Sequence, residues 1–177
     1  TAGNLILTGG GNANTTVNVA TNTTLNISTA SASLGSLTGS GNVVLNGKTL
    51  TLTNATDTFS GVISGAGNFS VAGGVEKLSG NNNYTGNTTI SSGATLNVSG
   101  SLGNGSYAGK VGNDGTLIYS GSQDQTLSGV ISGVGQITKT NASSTNALIL
   151  TGANTYTGNL SIQDDAGTVS VRGSGVL

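Results

Sequence analysis

The acidic residues are the only side chains of this sequence that suggest catalysis, and there are six of them in 177 residues. Asp164 and Asp165 are adjacent, so on a strand they would point to opposite faces. The others are spread along the chain at Asp57, Glu76, Asp114 and Asp124. A glycosidase needs two carboxyls about 5 to 9.5 Å apart. Stacked β-coils could supply such a pair, but the sequence gives no acid a partner, and we interpret all six as solvated turn residues.

The other common catalytic and metal-binding residues are missing, because the sequence contains no His and no Cys. It therefore has no Ser-His-Asp triad, no Cys-His dyad and no His- or thiolate-ligated metal site. Gly112-Asn-Asp114-Gly is similar to one piece of a calcium-binding nonapeptide roll, but it occurs once and we interpret it as a turn. We expect no catalytic residues, no cofactor, no metal and no enzyme activity.

Two tyrosines and two asparagines are the remaining candidates for a functional site. They occupy matching places in Asn82-Asn-Tyr84-Thr-Gly and Asn154-Thr-Tyr156-Thr-Gly. Each tyrosine ring either packs on its own coil or forms an exposed contact for a ligand or partner. We keep both interpretations open for Tyr84, Tyr156, Asn82 and Asn154.

These motifs belong to an internal repeat, which sets the organisation of the chain. The stretch from Leu78 to Gly100 recurs after Leu150, so that Tyr156 corresponds to Tyr84. An earlier stretch, Ser60-Gly-Val-Ile-Ser-Gly, recurs at Ser128, and the two blocks keep the same order in both copies. We expect repeat blocks at about 59–100 and 128–173, with residues 1–58 forming less regular coils of the same single unit, 1–177.

Composition and patterning indicate how these residues are held. Charged residues make up 6% of the chain, against about 25% in a typical soluble domain. Short runs of alternating apolar and polar residues, such as Thr95-Leu-Asn-Val98, are separated by turns rich in Gly and Asn. Together with the repeat, this pattern predicts an all-β fold, a parallel β-solenoid. We expect a right-handed β-helix of about eight coils, each of roughly 20 to 24 residues, so that one repeat spans about three coils.

The repeated residues also carry a family resemblance. Leu150-Thr-Gly-Ala-Asn-Thr-Tyr156-Thr-Gly158, with Ser128-Gly-Val-Ile-Ser-Gly-Val-Gly135 before it, resembles the passenger-associated repeat of bacterial type V autotransporters. The resemblance implies a secreted β-helical passenger on the surface of a Gram-negative cell. Its partners would be the host-cell surface or matrix, or the same protein on neighbouring cells. An outer-membrane β-barrel translocator of the same polypeptide, outside this chain, is also implied. The chain lacks an initiator Met, so we expect it to be a segment of a longer passenger.

Several functions are compatible with these features. The net charge of −1 and the lack of a basic cluster argue against nucleic acid binding. The leading hypothesis is an adhesive or structural rod for host attachment or self-association. The alternatives are a pure spacer, a β-helical carbohydrate-active enzyme and an ice-binding solenoid. An ice-binding face needs Thr in register on successive coils, and the uneven spacing of Thr49-x-Thr51-x-Thr53 and Thr88-Thr89 argues against it.

Overall fold

The computed structural model describes residues 3–6, 14–140, 145–163 and 167–172. These residues form a parallel β-solenoid of about eight turns, which confirms the fold class expected from the sequence. The paired strands are all parallel, and each strand lies next to strands from the coils before and after it rather than next to its neighbours in sequence. The described residues contain no helix of the length and apolarity that a membrane span requires.

The coils have three faces, which the chain visits in the order face 1, face 2, face 3. Face 1 consists of β1 (Gly3–Ile6), β3 (Thr23–Asn26), β6 (Asn42–Val44), β9 (Val62–Ser64), β12 (Asn81–Asn82), β15 (Ser101–Leu102), β16 (Ser106–Tyr107), β19 (Gln125–Leu127), β22 (Ala147–Leu150) and β24 (Thr168–Val171). Face 2 consists of β4 (Ala32–Leu34), β7 (Thr49–Leu52), β10 (Asn68–Val71), β13 (Thr88–Ile90), β17 (Val111–Asn113) and β20 (Ile131–Ser132). Face 3 consists of β2 (Thr16–Val19), β5 (Ser36–Gly39), β8 (Thr58–Phe59), β11 (Val75–Leu78), β14 (Thr95–Val98), β18 (Thr116–Tyr119), β21 (Gln136–Lys139) and β23 (Leu160–Ile162).

The interior is filled by every second residue of these strands. In β7, for example, Leu50 and Leu52 are fully buried, whereas Thr49 and Thr51 are partly exposed. This follows from the period of two along a strand, which sends alternate side chains to opposite faces. Because the strands are in register, each inward side chain stacks on the inward side chain of the coil before it. The core is therefore a continuous apolar column that extends along the solenoid axis.

Glycine lines the corners between the faces, because successive coils approach too closely there for a side chain. A Cβ on Gly129 would collide with the carbonyl oxygen of Gly109 one coil below, and a Cβ on Gly109 would collide with that of Gly86. Gly135 stands in the same relation to Gly115 at the next corner. These close approaches explain much of the high glycine content.

The sequence repeat is slightly longer than three coils, whereas the sequence predicted about three. Most coils contain fewer residues than one third of the distance in sequence between equivalent positions of the two copies. One repeat therefore extends over three coils and one further face. Accordingly, β9 lies on face 1 and its repeat equivalent β20 on face 2, whereas β14 lies on face 3 and its equivalent β24 on face 1. The two copies of the motif thus occupy different sides of the rod.

Candidate functional site

Two of the exposed acidic residues hold the backbone of the following coil. Asp114 and Asp124 are exposed in turns, and each uses its Oδ1 to accept a hydrogen bond from a backbone N–H of the next coil, that of Val134 at 3.2 Å and that of Ala147 at 2.7 Å. Asp164 and Asp165 lie outside the described residues. Among the described residues, no group of three His, Cys, Asp or Glu side chains is arranged to hold a metal ion.

The interpretation of all six acids as solvated turn residues is wrong for Glu76. It lies in β11 with no exposed surface, because it has the same inward parity as Leu78. Neither carboxyl oxygen makes a hydrogen bond within the described residues. Burial, and to a smaller extent the charge of Asp57 on the preceding coil, raises the pKa of Glu76 to about 9, against a weaker lowering by the backbone N–H of Leu37. Glu76 is therefore a neutral acid within the core, closed off from any substrate.

A second ionisable group, Lys139, is buried on the same face, three coils further along. Its Nζ donates a hydrogen bond to the carbonyl oxygen of Thr140 at 3.0 Å and lies 5.3 Å from the centre of the Tyr119 ring. Burial lowers the pKa of Lys139. The contact with the aromatic face and the carbonyl partly compensates for the lost hydration of the ammonium group. Lys139 and Glu76 are too far apart along the axis to form an ion pair.

Tyr84 packs inside the solenoid. Its ring is fully buried between Phe69 and Tyr107, with ring centroids 6.0 and 5.5 Å away. Its hydroxyl lies 2.7 Å from Thr88 Oγ1, which lies 2.8 Å from the hydroxyl of Tyr107. The Tyr107 hydroxyl in turn donates to the carbonyl oxygen of Gly86 at 2.5 Å. Three buried hydroxyls thus satisfy one another inside a largely apolar column.

Tyr156 differs from Tyr84 although the two are equivalent in the repeat. It is half-buried, and its hydroxyl has no hydrogen-bond partner among the described residues. The reason is local: Leu160 occupies the repeat position of Thr88 and offers no hydroxyl. Burial raises the pKa of Tyr156. Because the two copies lie on different faces, Tyr84 and Tyr156 do not come together in one surface patch.

Asn82 and Asn154, in contrast, play the same role in both copies. Asn82 Oδ1 accepts a hydrogen bond from the backbone N–H of Ile63 at 2.9 Å, and Asn154 Oδ1 accepts one from that of Ile131, also at 2.9 Å. Both asparagines are buried. Each side chain therefore supplies a hydrogen bond at a corner where the strand ladder is interrupted. Asn82 Nδ2 also donates to the carbonyl oxygen of Gly80, whereas Asn154 Nδ2 has no hydrogen-bond partner among the described residues.

Small polar residues form a straight row on the outside of face 2. The register aligns Ser33, Thr51, Ser70, Thr89, Gly112 and Ser132 on successive coils. The sequence-based expectation concerned threonine alone, and no two successive coils carry threonine in this row, although hydroxyl side chains do align on its first four coils. Threonine itself occupies two of these six positions.

A parallel row at the start of the same strands is occupied by hydrogen bonds within the rod. Ser31 Oγ accepts from the N–H of Thr49 at 3.1 Å. Asn68 Oδ1 accepts from the N–H of Asn87 at 2.8 Å, and Asn87 Oδ1 accepts from the N–H of Lys110 at 3.1 Å. These asparagines connect one coil to the next on the exterior. They therefore stabilise the stacking of the coils by hydrogen bonds within the rod.

A groove lies on the surface where face 3 turns into face 1. We call it the lateral groove. It has a volume of about 810 Å³ and crosses four coils, and its walls are formed by Ser79, Asn81, Ser99, Gly100, Ser101, Asn104, Gly105, Ser122, Gln123, Asp124, Thr145 and Asn146. Among the described residues, its lining contains amides, hydroxyls and one carboxylate, and no basic, aromatic or large aliphatic residue.

The lateral groove owes its shape to an inserted turn. Asn81 pairs with Ser101 on the next coil, whereas Thr88, slightly later in the chain, pairs with Val111, so the second step is the longer one. The additional residues form the short 3₁₀ turn Gly103–Gly105, in which Asn104 has a positive φ of 53°. This turn separates β15 from β16 on face 1. Insertions of this kind are where solenoids commonly carry a binding surface.

The lateral groove, the role of Thr88 and the buried position of Glu76 were not predicted from the sequence. The longer register step from Thr88 to Val111 was a signal for the groove, but it could be recognised only against a known register. Comparisons with protein-family models, with curated proteins and with solved structures found no match for this chain. The outer surface of the solenoid and its lateral groove are the candidate binding sites of the described residues.

Proposed function

We propose that this chain is a segment of a secreted autotransporter passenger that acts as an adhesive rod on the surface of a Gram-negative bacterium. It would attach the cell to a host-cell surface or matrix, or to the same protein on neighbouring cells. The outer-membrane translocator of the same polypeptide would anchor the rod. The repeat motif around Tyr156 and Gly158 supports the family, and the solenoid fold is compatible with it.

The observation that carries the proposal is the division of roles between interior and exterior. The interior is shielded from solvent and contains the apolar column as well as Glu76 and Tyr84. The exterior presents small hydroxyl and amide groups on successive coils, as in the row from Ser33 to Thr89. Eight coils at about 4.8 Å each give a rod of roughly 35 to 40 Å. Such a surface suits many weak polar contacts that add along its length.

The same division argues against catalysis. Glu76, the acid with the most perturbed pKa, faces the core, and the exposed Asp114 and Asp124 each hold a backbone N–H. An ice-binding role is supported less well, because the aligned row mixes Ser, Thr and Gly rather than repeating Thr. A pure spacer role shares the fold with the adhesive role, and only an attachment experiment separates the two.

The experiment compares bacteria that display the full passenger with bacteria whose passenger lacks residues 1–177. Surface levels are matched with an antibody against the remaining passenger. A control strain lacks the same number of coils from another part of the passenger. We expect settling of bacterial suspensions and host-cell attachment to fall only when residues 1–177 are removed. Unchanged settling and attachment would show that the segment is a spacer.

A further inference from the structure

We propose that the lateral groove binds a neutral oligosaccharide. The inference rests on the proposed adhesive function, because it names the part of the rod that makes the contact and the class of molecule that it contacts. The lateral groove is a concave surface of about 810 Å³, within the range of small-molecule sites.

The chemistry of the lining selects a polyhydroxyl ligand. Asn81, Asn104 and Gln123 offer amides that both donate and accept hydrogen bonds, and Asp124 offers an acceptor. A sugar hydroxyl also donates and accepts, so each can be paired with such groups. The described lining residues include no Lys or Arg to bind phosphate or sulfate, and the Asp124 carboxylate disfavours an anionic ligand.

Several of these groups are free to bind. The side chains of Asn104 and Gln123 are exposed and make no hydrogen bond within the described part of the chain. Asp124 uses Oδ1 for the N–H of Ala147, which fixes the carboxylate and leaves Oδ2 without a partner in the described ranges. The groove thus contains a carboxylate that is held in place, that of Asp124, and two side chains without hydrogen-bond partners in the described ranges, those of Asn104 and Gln123.

Asn146 forms part of the wall of the groove. It is 4% exposed, and its Nδ2 donates to the carbonyl oxygens of Gly121 and Gln123. These two bonds fix the amide, yet its Oδ1 is buried and has no hydrogen-bond partner among the described residues. Buried acceptors without a donor are rare in native proteins. The Asn146 side chain therefore forms a fixed part of the groove wall, with its Oδ1 turned away from solvent.

The direction of the groove suits a chain of sugars. It crosses four coils, and equivalent positions on successive coils repeat at about 4.8 Å. A pyranose chain advances by a comparable length per residue, so neighbouring sugars would meet equivalent positions on neighbouring coils. A protein partner fits less well, because protein interfaces depend on buried aromatic or arginine anchors, for which this groove offers no apolar pocket.

The test uses the purified chain on a printed array of neutral and sialylated oligosaccharides, followed by calorimetric titration of the glycans that bind. The groove variant is Asn104→Gly with Gln123→Ala. Glycine tolerates the positive φ of Asn104, and neither side chain supports the fold through a hydrogen bond. The control variant, Thr51→Ala, Ser70→Ala and Thr89→Ala, alters the exposed row on face 2.

We expect the wild-type chain and the face 2 variant to bind neutral glycans equally. The groove variant should bind them about 10-fold or more weakly, since it loses two hydrogen-bonding side chains. The inference is overturned if no neutral glycan binds, if only sialylated glycans bind, or if the groove variant binds as the wild type does. Attachment by the display strains is measured separately. If deletion of residues 1–177 reduces attachment but the purified chain binds no neutral glycan, only the groove inference is refuted. If the purified chain binds neutral glycans but the deletion leaves attachment unchanged, the adhesive function is refuted.

Discussion

The side-chain amide of Gln125 forms two hydrogen bonds with the backbone of Leu102. Leu102 N–H donates to Oε1 at 2.9 Å, and Nε2 donates to the carbonyl oxygen of Leu102 at 3.0 Å. β15 ends at Leu102, where the inserted turn Gly103–Gly105 leads the chain away, and its partner within the described strands is β12 alone. Gln125 is 1% exposed. Its amide thus replaces the backbone of a missing strand beneath the lateral groove.

Replacing Gln125 with Leu should therefore destabilise the solenoid more than the loss of a surface glutamine would. The substitution leaves the N–H and the carbonyl of Leu102 buried without partners, and each unsatisfied group costs about 1 to 3 kcal/mol. We expect Gln125→Leu to lower the free energy of unfolding in urea by about 2 to 5 kcal/mol. Gln123→Leu, at an exposed position nearby in the same turn, is the control and should change it little. Equal effects of the two substitutions would contradict the proposed role of Gln125.

Thr88 should stabilise the fold through the two tyrosine hydroxyls that it joins. Thr88→Val keeps the shape of the side chain and leaves the Tyr84 hydroxyl buried without a partner, whereas Tyr107 keeps the carbonyl of Gly86. We expect a loss of about 1 to 3 kcal/mol. Adding Tyr84→Phe to Thr88→Val removes the orphaned hydroxyl and should recover part of this loss. Urea denaturation of the two single variants and the double variant forms a double-mutant cycle, and simple additivity in it would exclude the coupling.

The pH dependence of stability should reveal the buried carboxyl of Glu76. Its pKa is 4.5 in the unfolded chain and about 9 in the fold, so folding takes up a proton between these pH values. This site therefore opposes folding increasingly as the pH rises from about 4.5 to about 9. Glu76→Gln removes the ionisation and should raise the free energy of unfolding at pH 7 by about 2 to 3 kcal/mol. Its advantage should disappear at pH 4.

The control for this prediction is Asp114→Asn, which also removes one carboxylate but at an exposed turn. An asparagine there retains the Oδ1 that accepts the N–H of Val134. Unfolding is followed in urea at pH 4, 5.5, 7 and 8.5 for both variants and the wild type. A wild-type profile parallel to that of Glu76→Gln over this range would mean that Glu76 is ionised in the fold.

The fold was largely predictable from the sequence, whereas the finer arrangement was not. Period-two runs such as Thr95-Leu-Asn-Val98 and the glycine-rich corners were enough to predict a parallel solenoid. The alternation in Val75-Glu-Lys-Leu78 also contained the signal that Glu76 points inward with Leu78, but an isolated acid is normally exposed. The pairing of Gln125 with Leu102 could not be anticipated, because it depends on which coil contains the inserted turn.

The one-face offset between the two repeat copies has a physical reason. All three corners need glycine for close approach to the coil below, and all three faces need alternating apolar residues. A motif that satisfies these needs at one corner also satisfies them at the next, as Gly61 and its repeat equivalent Gly129 do against Gly41 and Gly109. Sequence repeats and structural coils can therefore drift out of phase without loss of packing.

Gly129 and Gly112 provide a direct test of this explanation, because they differ in the space around them. A Cβ on Gly129 would overlap the carbonyl oxygen of Gly109, whereas a Cβ on Gly112, on the outer row of face 2, would meet no atom within 4 Å. We expect Gly129→Ala to lower the free energy of unfolding by about 1 to 3 kcal/mol or more, since a well-packed backbone must move. Gly112→Ala should be neutral or slightly stabilising, because alanine restricts the unfolded chain. Urea unfolding of both variants measures the difference. If Gly129→Ala were as stable as Gly112→Ala, close approach of the coils could not be the reason for glycine at the corners.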